Sequence, residues 1–530
     1  MLSNTFCDMA GQKVNKNKSK IFFSPNVSVQ VKLDICQQLG IQATNNLGRY
    51  LGFPILHKGR NGNAYNFVIE RVQDKLVGWK ARVLSPAGKR VLINSASTPI
   101  VEYYMQCCAL LAKVCKAVDK LHRDFLWVST EEKRKLHLMN WNTVILPRDR
   151  GGLGMVEMQP RNEAYLAKLC WRLANEQEAP WVRMLMSKYF TNLRITEAGR
   201  KLPCSRTWAA CKKGGPIFKR GLKWIINNGV ITNLWSDFWF PFGPLRSCIQ
   251  GPLNREEADL LVADIRDKGS NWFQSVLSFE LPEELQSQIQ EVPFSLDLNT
   301  EDVSCWAFSK DDSFSLKSAY LLAKGLNPLN PSAFACEWIW KAATTPRIMF
   351  FLWLSIHNSV PTCEVLGSRG FTLDTICPIC QREAKTLQHI IRDCHYVRNF
   401  RNKLGVPVDC RKNFLEDLGV WLHLNCTSVS SQHGIPWKIT FPMGVWHLWL
   451  HRNAYIFKKG VIDEEYHMQC RRKAIEFYAI AVAGKVQAEK HTQAISWQKP
   501  PAGWTKLNTD GSARDSAWGG GGILRNEHGN

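Results

Sequence analysis

Four metal-binding side chains fall within eighteen residues of this chain, and that spacing constrains the fold more than any other feature. Cys377-Pro378-Ile379-Cys380 is followed after eight residues by His389 and after four more by Cys394. Three thiolates and one imidazole, with a tight first pair, suit tetrahedral zinc, because soft sulfur ligands select zinc over magnesium or calcium. The Cys-x-x-Cys pair forms one turn, and His389 and Cys394 reach the same ion from the start of the next helix. A basic, aromatic segment of this kind satisfies such groups poorly without metal, so zinc is expected to contribute folding energy directly. His395 is the alternative to His389. No thioredoxin-like strand-to-helix context surrounds the pair, which argues against a redox role.

Around this cluster the 530 residues provide for about three or four domains. The formal charge of +22 is spread over short clusters, among them Lys13, Lys16, Lys18 and Lys20, then Lys89 and Arg90, then Lys133, Arg134 and Lys135. A distributed positive field favours a polyanionic partner, since each neutralised phosphate releases counterions. The 18 cysteines show no even framework, and no charged-then-apolar leader opens the sequence, so a reducing compartment, nuclear or cytoplasmic, is expected. Apolar runs such as residues 348–356 are too short to cross a bilayer.

Periodicity sets the rest. A turn at Gly11-Gln12-Lys13 feeds Lys20-Ile21-Phe22-Phe23-Ser24, which reads as a buried strand, and Tyr50-Leu51-Gly52-Phe53-Pro54 reads as a short strand stopped by its proline. Residues 63–125 look helical, with Phe67, Val68, Val72, Leu76 and Trp79 on one stripe and Pro86-Ala87-Gly88 as a breaker. Gly151-Gly152-Leu153-Gly154 lacks the P-loop Lys-Ser/Thr and reads as a turn before a helix over 162–173. From 200 to 330, short aromatic strands with Trp235, Phe238 and Trp239 alternate with loops. Helical blocks are expected over 338–357 and 437–486, the second carrying Trp446, Trp449, Ala454 and Phe457. A polar linker over 487–501 precedes a hairpin of residues 504–510 with 520–525. Asp311-Asp312 reads as a hairpin turn. Asp510, at a strand end before Gly511, reads on its own as a turn former. A rigid strand there can also hold a carboxylate at a metal, but two-metal phosphodiester hydrolysis needs several converging carboxylates, and Asp515 and Glu527 are poor substitutes.

Taken in order, these landmarks resemble the plant LINE-type (non-LTR) retroelement reverse transcriptases and ribonuclease H proteins. The resemblance rests on Asn15, Lys18 and Ser19, Tyr50-Leu51-Gly52-Phe53-Pro54, Gly78-Trp79-Lys80, Leu84-Ser85-Pro86-Ala87-Gly88-Lys89-Arg90, Phe125-Leu126-Trp127 and the Gly151 turn. It continues through Trp340-Lys341, Phe351-Leu352-Trp353, Pro361-Thr362 and Arg369-Gly370 into the cysteine cluster, then Arg452-Asn453 and residues 500–525. It implies an α+β, multidomain protein: 1–60 the tail of a reverse transcriptase palm, 61–200 a helical thumb and connection, and 201–312 an aromatic-rich connection. It further implies 313–406 as a zinc-binding domain, 407–500 as a helical tether and 501–530 as the start of an RNase H-like α/β domain. Lys385 departs from the family, which usually carries an acidic residue shortly before the histidine.

The resemblance makes Asp510 the match to the first ribonuclease H carboxylate. Lys18, Lys20, Lys80, Lys89 and Arg90 are the expected contacts to RNA, DNA or an RNA–DNA hybrid. The Tyr-x-Asp-Asp polymerase motif is expected upstream of the first landmark and does not occur in this sequence. Zn2+ is the expected structural ion, with Mg2+ required only by a complete ribonuclease H or polymerase site. Two readings remain: a nucleic-acid-handling enzyme fragment without activity of its own, or a catalytically dead zinc-stabilised interaction module.

Overall fold

A computed structural model of the chain describes residues 14–45, 48–54, 63, 65–78, 80–128, 135–189, 205–241, 243–265, 276–292, 300–330, 337–372, 374–458, 465–486, 500–514 and 517–528. The expected turn at 11–13, Trp79, Lys133, Arg134, linker residues 487–499 and Asp515 lie outside them. Contacts divide the chain into two compact units, Met1–Cys470 and Arg471–Asn530. Helices dominate, and among the described residues every sheet has two strands. That is an α+β composition. No described helix is long and apolar enough to cross a membrane.

The first unit begins with minimal β structure. The strand expected at 20–24 shrinks to Lys20–Ile21, paired with Gln42–Ala43, and Lys20 is exposed because no second layer covers it. Tyr50 and Pro54 belong to a hairpin of Arg49–Tyr50 with Phe53–Pro54, turning through Leu51 and Gly52 at positive φ. Pro54 thus pairs as an edge residue and does not stop the strand before it.

The helical reading of 63–125 holds. Helix α1 (Asn66–Leu76) buries Phe67, Val68, Val72 and Leu76, the stripe expected from spacing. Pro86 does not break the run, however. The Ser85 hydroxyl accepts from Gly88 N at 3.2 Å and Pro86 occupies the first turn of Pro86–Leu92, where its missing N–H costs nothing. A π turn, Ile93–Ser97, leads on to Thr98–Met105. Helix α2 (Ala112–Trp127) buries Val114, Val118, Phe125 and Leu126 together with His122, whose Nε2 lies 2.8 Å from Ser97 Oγ.

The glycine cluster is a turn, as expected. Gly151 and Gly154 have φ of 82° and 67°, and a Cβ on Gly152 would sit 1.9 Å from the Leu146 carbonyl oxygen. Helix α3 (Met158–Asn175) then packs against α4 (Arg206–Gly221) and α5 (Leu316–Ala323). Short strands and loops are expected over 200–330, yet α4 is a helix that runs through Gly214-Gly215-Pro216. In the fold Gly214 is where the two backbones meet, and a Cβ there would stand 2.3 Å from the Leu166 carbonyl carbon. Strand β1 (Leu222–Ile225) pairs antiparallel with β2 (Val303–Trp306), Leu222 opposite Trp306. Trp306 is fully buried and its indole N–H donates to Ser318 Oγ at 2.7 Å. Trp235 and Trp239 belong to a second core with Phe240, Leu245 and Val262, and no strand carries them. The buried Asp302 carboxylate ties this region down, accepting from Asn227 N, Gly229 N and Thr232 Oγ1.

The block expected over 338–357 is two helices, Glu337–Lys341 and α6 (Pro346–Ile356). Trp353 of α6 donates its indole N–H to the Gly151 carbonyl at 2.8 Å, joining this region to the first glycine turn. Among the longer helices that follow in this unit are α7 (His395–Leu404), α8 (Leu418–Thr427) and α9 (Trp437–Lys458). Helix α9 packs on α6 through Trp446 and Trp449, whose rings lie 5.3 and 5.9 Å from Phe351. In the second unit the expected hairpin is present as β3 (Lys506–Arg514) and β4 (Ala517–Arg525), with Asp510 opposite Gly521.

Two stability tests follow from these contacts. Gly214→Val forces α3 and α4 apart and is expected to cost about 2 kcal/mol or more, seen as earlier thermal unfolding. Burial pushes the pKa of His122 down from 6.5 to about 4. Since the unfolded chain binds the extra proton, stability from neutral His122 is complete above pH 6.5 and is lost as pH falls toward 4, by about 2 kcal/mol at pH 5. Denaturant titrations at pH 7.5 and 5 should show that difference shrinking in His122→Gln.

Candidate metal centre

The cysteine knuckle is built from local hydrogen bonds with little apolar burial. Ile376 bridges to Ala384, Cys377 N donates to the Glu383 carbonyl at 2.8 Å, and Gln381 N returns to the Cys377 carbonyl at 2.8 Å with Gln381 at φ 53°. This closes Cys377 and Cys380 onto one turn. The other two ligands come from an unusual helical turn. Residues five apart diverge by about 140° on an α-helix. Here Cys394 N donates to the His389 carbonyl at 3.0 Å, closing a π turn over His389–Asp393 that returns Cys394 toward His389. Cys394 itself precedes α7, so only one of the pair lies at that helix start.

The four donor atoms of Cys377, Cys380, His389 and Cys394 lie within 4.8 Å of one another, and Cys380 Sγ is 3.4 Å from His389 Nε2. A tetrahedron built on Zn–S bonds of about 2.3 Å has edges of about 3.8 Å, so the set fits a zinc ion with little adjustment. Cys377, His389 and Cys394 are buried, and Cys380 is half-buried. The Cys377 thiol is held well below its usual range, chiefly because Cys394 donates to it and then by the N–H groups of Cys380 and Ile379, against the effect of burial. Such a site favours a thiolate, the form that binds metal. With four protein donors no coordination position is open, so a bound zinc would cross-link the chain and activate no water.

His395 is exposed and outside the cluster, leaving His389 as the imidazole of this set. The residue that sequence reading missed is Glu383. Its Oε2 lies 2.8 Å from His389 Nδ1, which directs Nε2 toward the sulfurs and fixes the tautomer needed for ligation. Lys385 is turned elsewhere: its ammonium donates to the Asp374 carbonyl at 2.8 Å. The acidic group expected near Lys385 is therefore supplied two residues earlier. Its signal in the sequence was a carboxylate three residues after the Cys-x-x-Cys pair.

The comparisons address this region directly. Residues 314–400 match the family described as zinc-binding in reverse transcriptase. An Arabidopsis thaliana protein named as a ribonuclease H protein is 28% identical over 486 residues, covering 89% of this chain and 78% of the relative. An uncharacterized mitochondrial protein of Arabidopsis thaliana is 31% identical over 148 residues, 27% of this chain and 96% of that relative. This chain belongs to the plant retroelement reverse transcriptase and ribonuclease H-like proteins. Within that family its Cys377, Cys380, His389 and Cys394 all fall inside the zinc-binding match.

The cations expected to meet nucleic acid are placed unequally. Lys18 is exposed, and Lys20 is exposed with its ammonium donating to Gln42 Oε1 at 3.0 Å. Lys80 donates to the Lys75 carbonyl at 3.2 Å beside a cleft formed with Gly52, Arg71 and Tyr103. Lys89 and Arg90 depart from the expectation. Lys89 is 2% exposed, 5.9 Å over the Phe125 ring, and burial with nearby Lys135 lowers its pKa. Arg90 is half-buried over Trp340 beside Arg148, its pKa pushed down to about 10 by burial and then by that charge. Both side chains follow the helix face that packs on α2 and α6, so they face inward and offer little to a phosphate. Asp510 sits in β3, and its side chain lies outside the described residues.

Purified protein is expected to carry about one zinc per chain by elemental analysis, lost in Cys377→Ser with Cys380→Ser. Glu383→Gln should keep the ligands yet weaken zinc binding about 10–100-fold in chelator competition. Unchanged affinity would remove Glu383 from the site.

Proposed function

We propose that this chain is a LINE-type retroelement protein that binds nucleic acid through a zinc-stabilised segment, and that its own residues carry out no polymerisation or hybrid hydrolysis. The observation that carries the reading is the Cys3His set brought within 4.8 Å inside the match to a reverse transcriptase zinc-binding domain. The net charge of +22 supports a polyanionic partner. Under this reading the ion is structural zinc, residues 313–406 are the zinc-binding domain, and residues 407–500 are the tether. The β3–β4 hairpin is then the opening of the ribonuclease H domain, and Asp510 is its first metal-binding carboxylate. Two-metal hydrolysis, which needs Mg2+ held by several carboxylates, has that single matching residue in this sequence.

The inward placement of Lys89 and Arg90 favours a second reading, a catalytically dead zinc-stabilised interaction module. Salt separates the two. Affinity for a labelled RNA–DNA hybrid should fall at least tenfold between 50 and 200 mM salt if several phosphates are neutralised. A flat response favours the module. With Mg2+ present, hybrid cleavage should not exceed that of Asp510→Asn, and cleavage above that control would overturn the inactive assignment.

A further inference from the structure

Beside the metal cluster, and unused by it, α7, α8, the start of α9 and the intervening loops enclose a cleft of about 790 Å³. Arg398, Arg401 and Lys403 line it from α7, Arg411 from the short helix Val408–Arg411, and His433 from a facing turn. None of the described residues lining it is acidic. Arg398 and Arg411 are exposed, and no described carboxylate forms an ion pair with either. Three guanidinium groups converge on one ring: Arg401, Arg398 and Arg392 lie 4.5, 5.4 and 5.6 Å from the centre of Phe414. Arg392 is matched by Asp393 at 2.9 Å. Arg401 is pushed down to about 10 by burial, with Asp393 opposing and Arg392 and Arg398 adding to the fall. The ring attracts each cation, but the guanidinium groups repel one another, and an arriving anion relieves that repulsion.

The rest of the lining narrows the ligand. The amides of Asn402 and Gln432 face the same space and can meet a base edge with donor and acceptor alike. Planar guanidinium groups and an aromatic ring suit stacked bases as well as phosphates. A duplex turns its bases inward and leaves such a lining unused.

We infer that this cleft binds a single-stranded nucleic-acid segment, with phosphodiesters on Arg398 and Arg411 and a base beside Phe414 and Arg401. The inference rests on the nucleic-acid reading above and adds a location and a strand state. Its test uses the full chain and fluorescence anisotropy with labelled 12-mers, oligo-dT and oligo-rU, over a salt series. Arg398→Gln with Arg411→Gln should weaken binding at least tenfold and reduce the slope of log affinity against log salt by about 1.4, two contacts at about 0.7 each. A charge-matched control on α2, Lys116→Gln with Lys120→Gln, should leave the slope unchanged. Both pairs are exposed, and unaltered zinc content confirms the fold. Asn402→Asp, which adds one negative charge to the cleft wall, should weaken binding in the same assay.

If the unsubstituted chain binds no oligonucleotide in a salt-dependent way, the nucleic-acid reading fails together with this one. If it binds, yet the Arg398 and Arg411 variant behaves like the control, the cleft assignment alone fails. A duplex of equal phosphate content that shows the same dependence on these arginines overturns the single-strand assignment. Displacement of the 12-mer by ATP at equal phosphate concentration would also overturn it, in favour of a free nucleotide.

Discussion

Around residues 374–394 three thiols and one imidazole converge where apolar packing is thin. Within the knuckle most side chains from 374 to 386 are exposed, and apolar burial there is limited to a few positions such as Cys377 and Leu387. Burial at this scale contributes only a few kcal/mol, too little to order a dozen residues against their conformational entropy. A metal cross-link would change that balance, because ligand binding and folding become one equilibrium. The elements that follow would gain from the same anchor. The π turn packs against α9, α7 starts from Cys394, and the Tyr396 ring stacks on His451 at 5.5 Å.

The larger part of the first unit is held differently. Around α3, α4 and α5, close approach at Gly214 and the burial of Trp306 against Trp171, Phe314 and Ser318 build a core of ordinary character. The indole of Trp353 joins that region to the zinc-binding segment through the Gly151 carbonyl, which also lies 2.8 Å from His357 Nε2. The match to known zinc-binding segments begins at residue 314, within the stretch leading into α5. Its start therefore belongs to the same core as the helices before it.

What the sequence made legible follows from how local each signal is. The convergence of Cys377, Cys380, His389 and Cys394 could be read because their spacing falls within one knuckle and one turn. The stripe of Phe67, Val68, Val72 and Leu76 could be read because a helix repeats it. The α4 helix could not, since Gly214-Gly215-Pro216 carries breaker chemistry and only the position of Leu166 explains why glycine is required. Pro86 misled for a related reason: the same residue stops a helix from within and starts one after a capping serine. Lys89 and Arg90 were read as surface charges because composition has no inside, whereas an amphipathic helix can turn a lysine stem over Phe125. Glu383 acts only through the tautomer of His389, a relation no linear spacing displays. The cation group on Phe414 joins residues from three segments and is visible only once they are packed.

The π turn couples the metal cluster to the cations on Phe414. Five residues, His389–Asp393, carry the imidazole of the metal set, the Arg392 guanidinium on Phe414 and the Asp393 carboxylate that offsets it. An insertion or deletion in this turn changes ligand geometry and charge balance in one event. Neither can be tuned by drift without the other responding. Copies of such an element that accumulate substitutions should therefore lose both features together or keep both, and a lineage retaining the cysteines but shortening the turn should have abandoned the arginines as well.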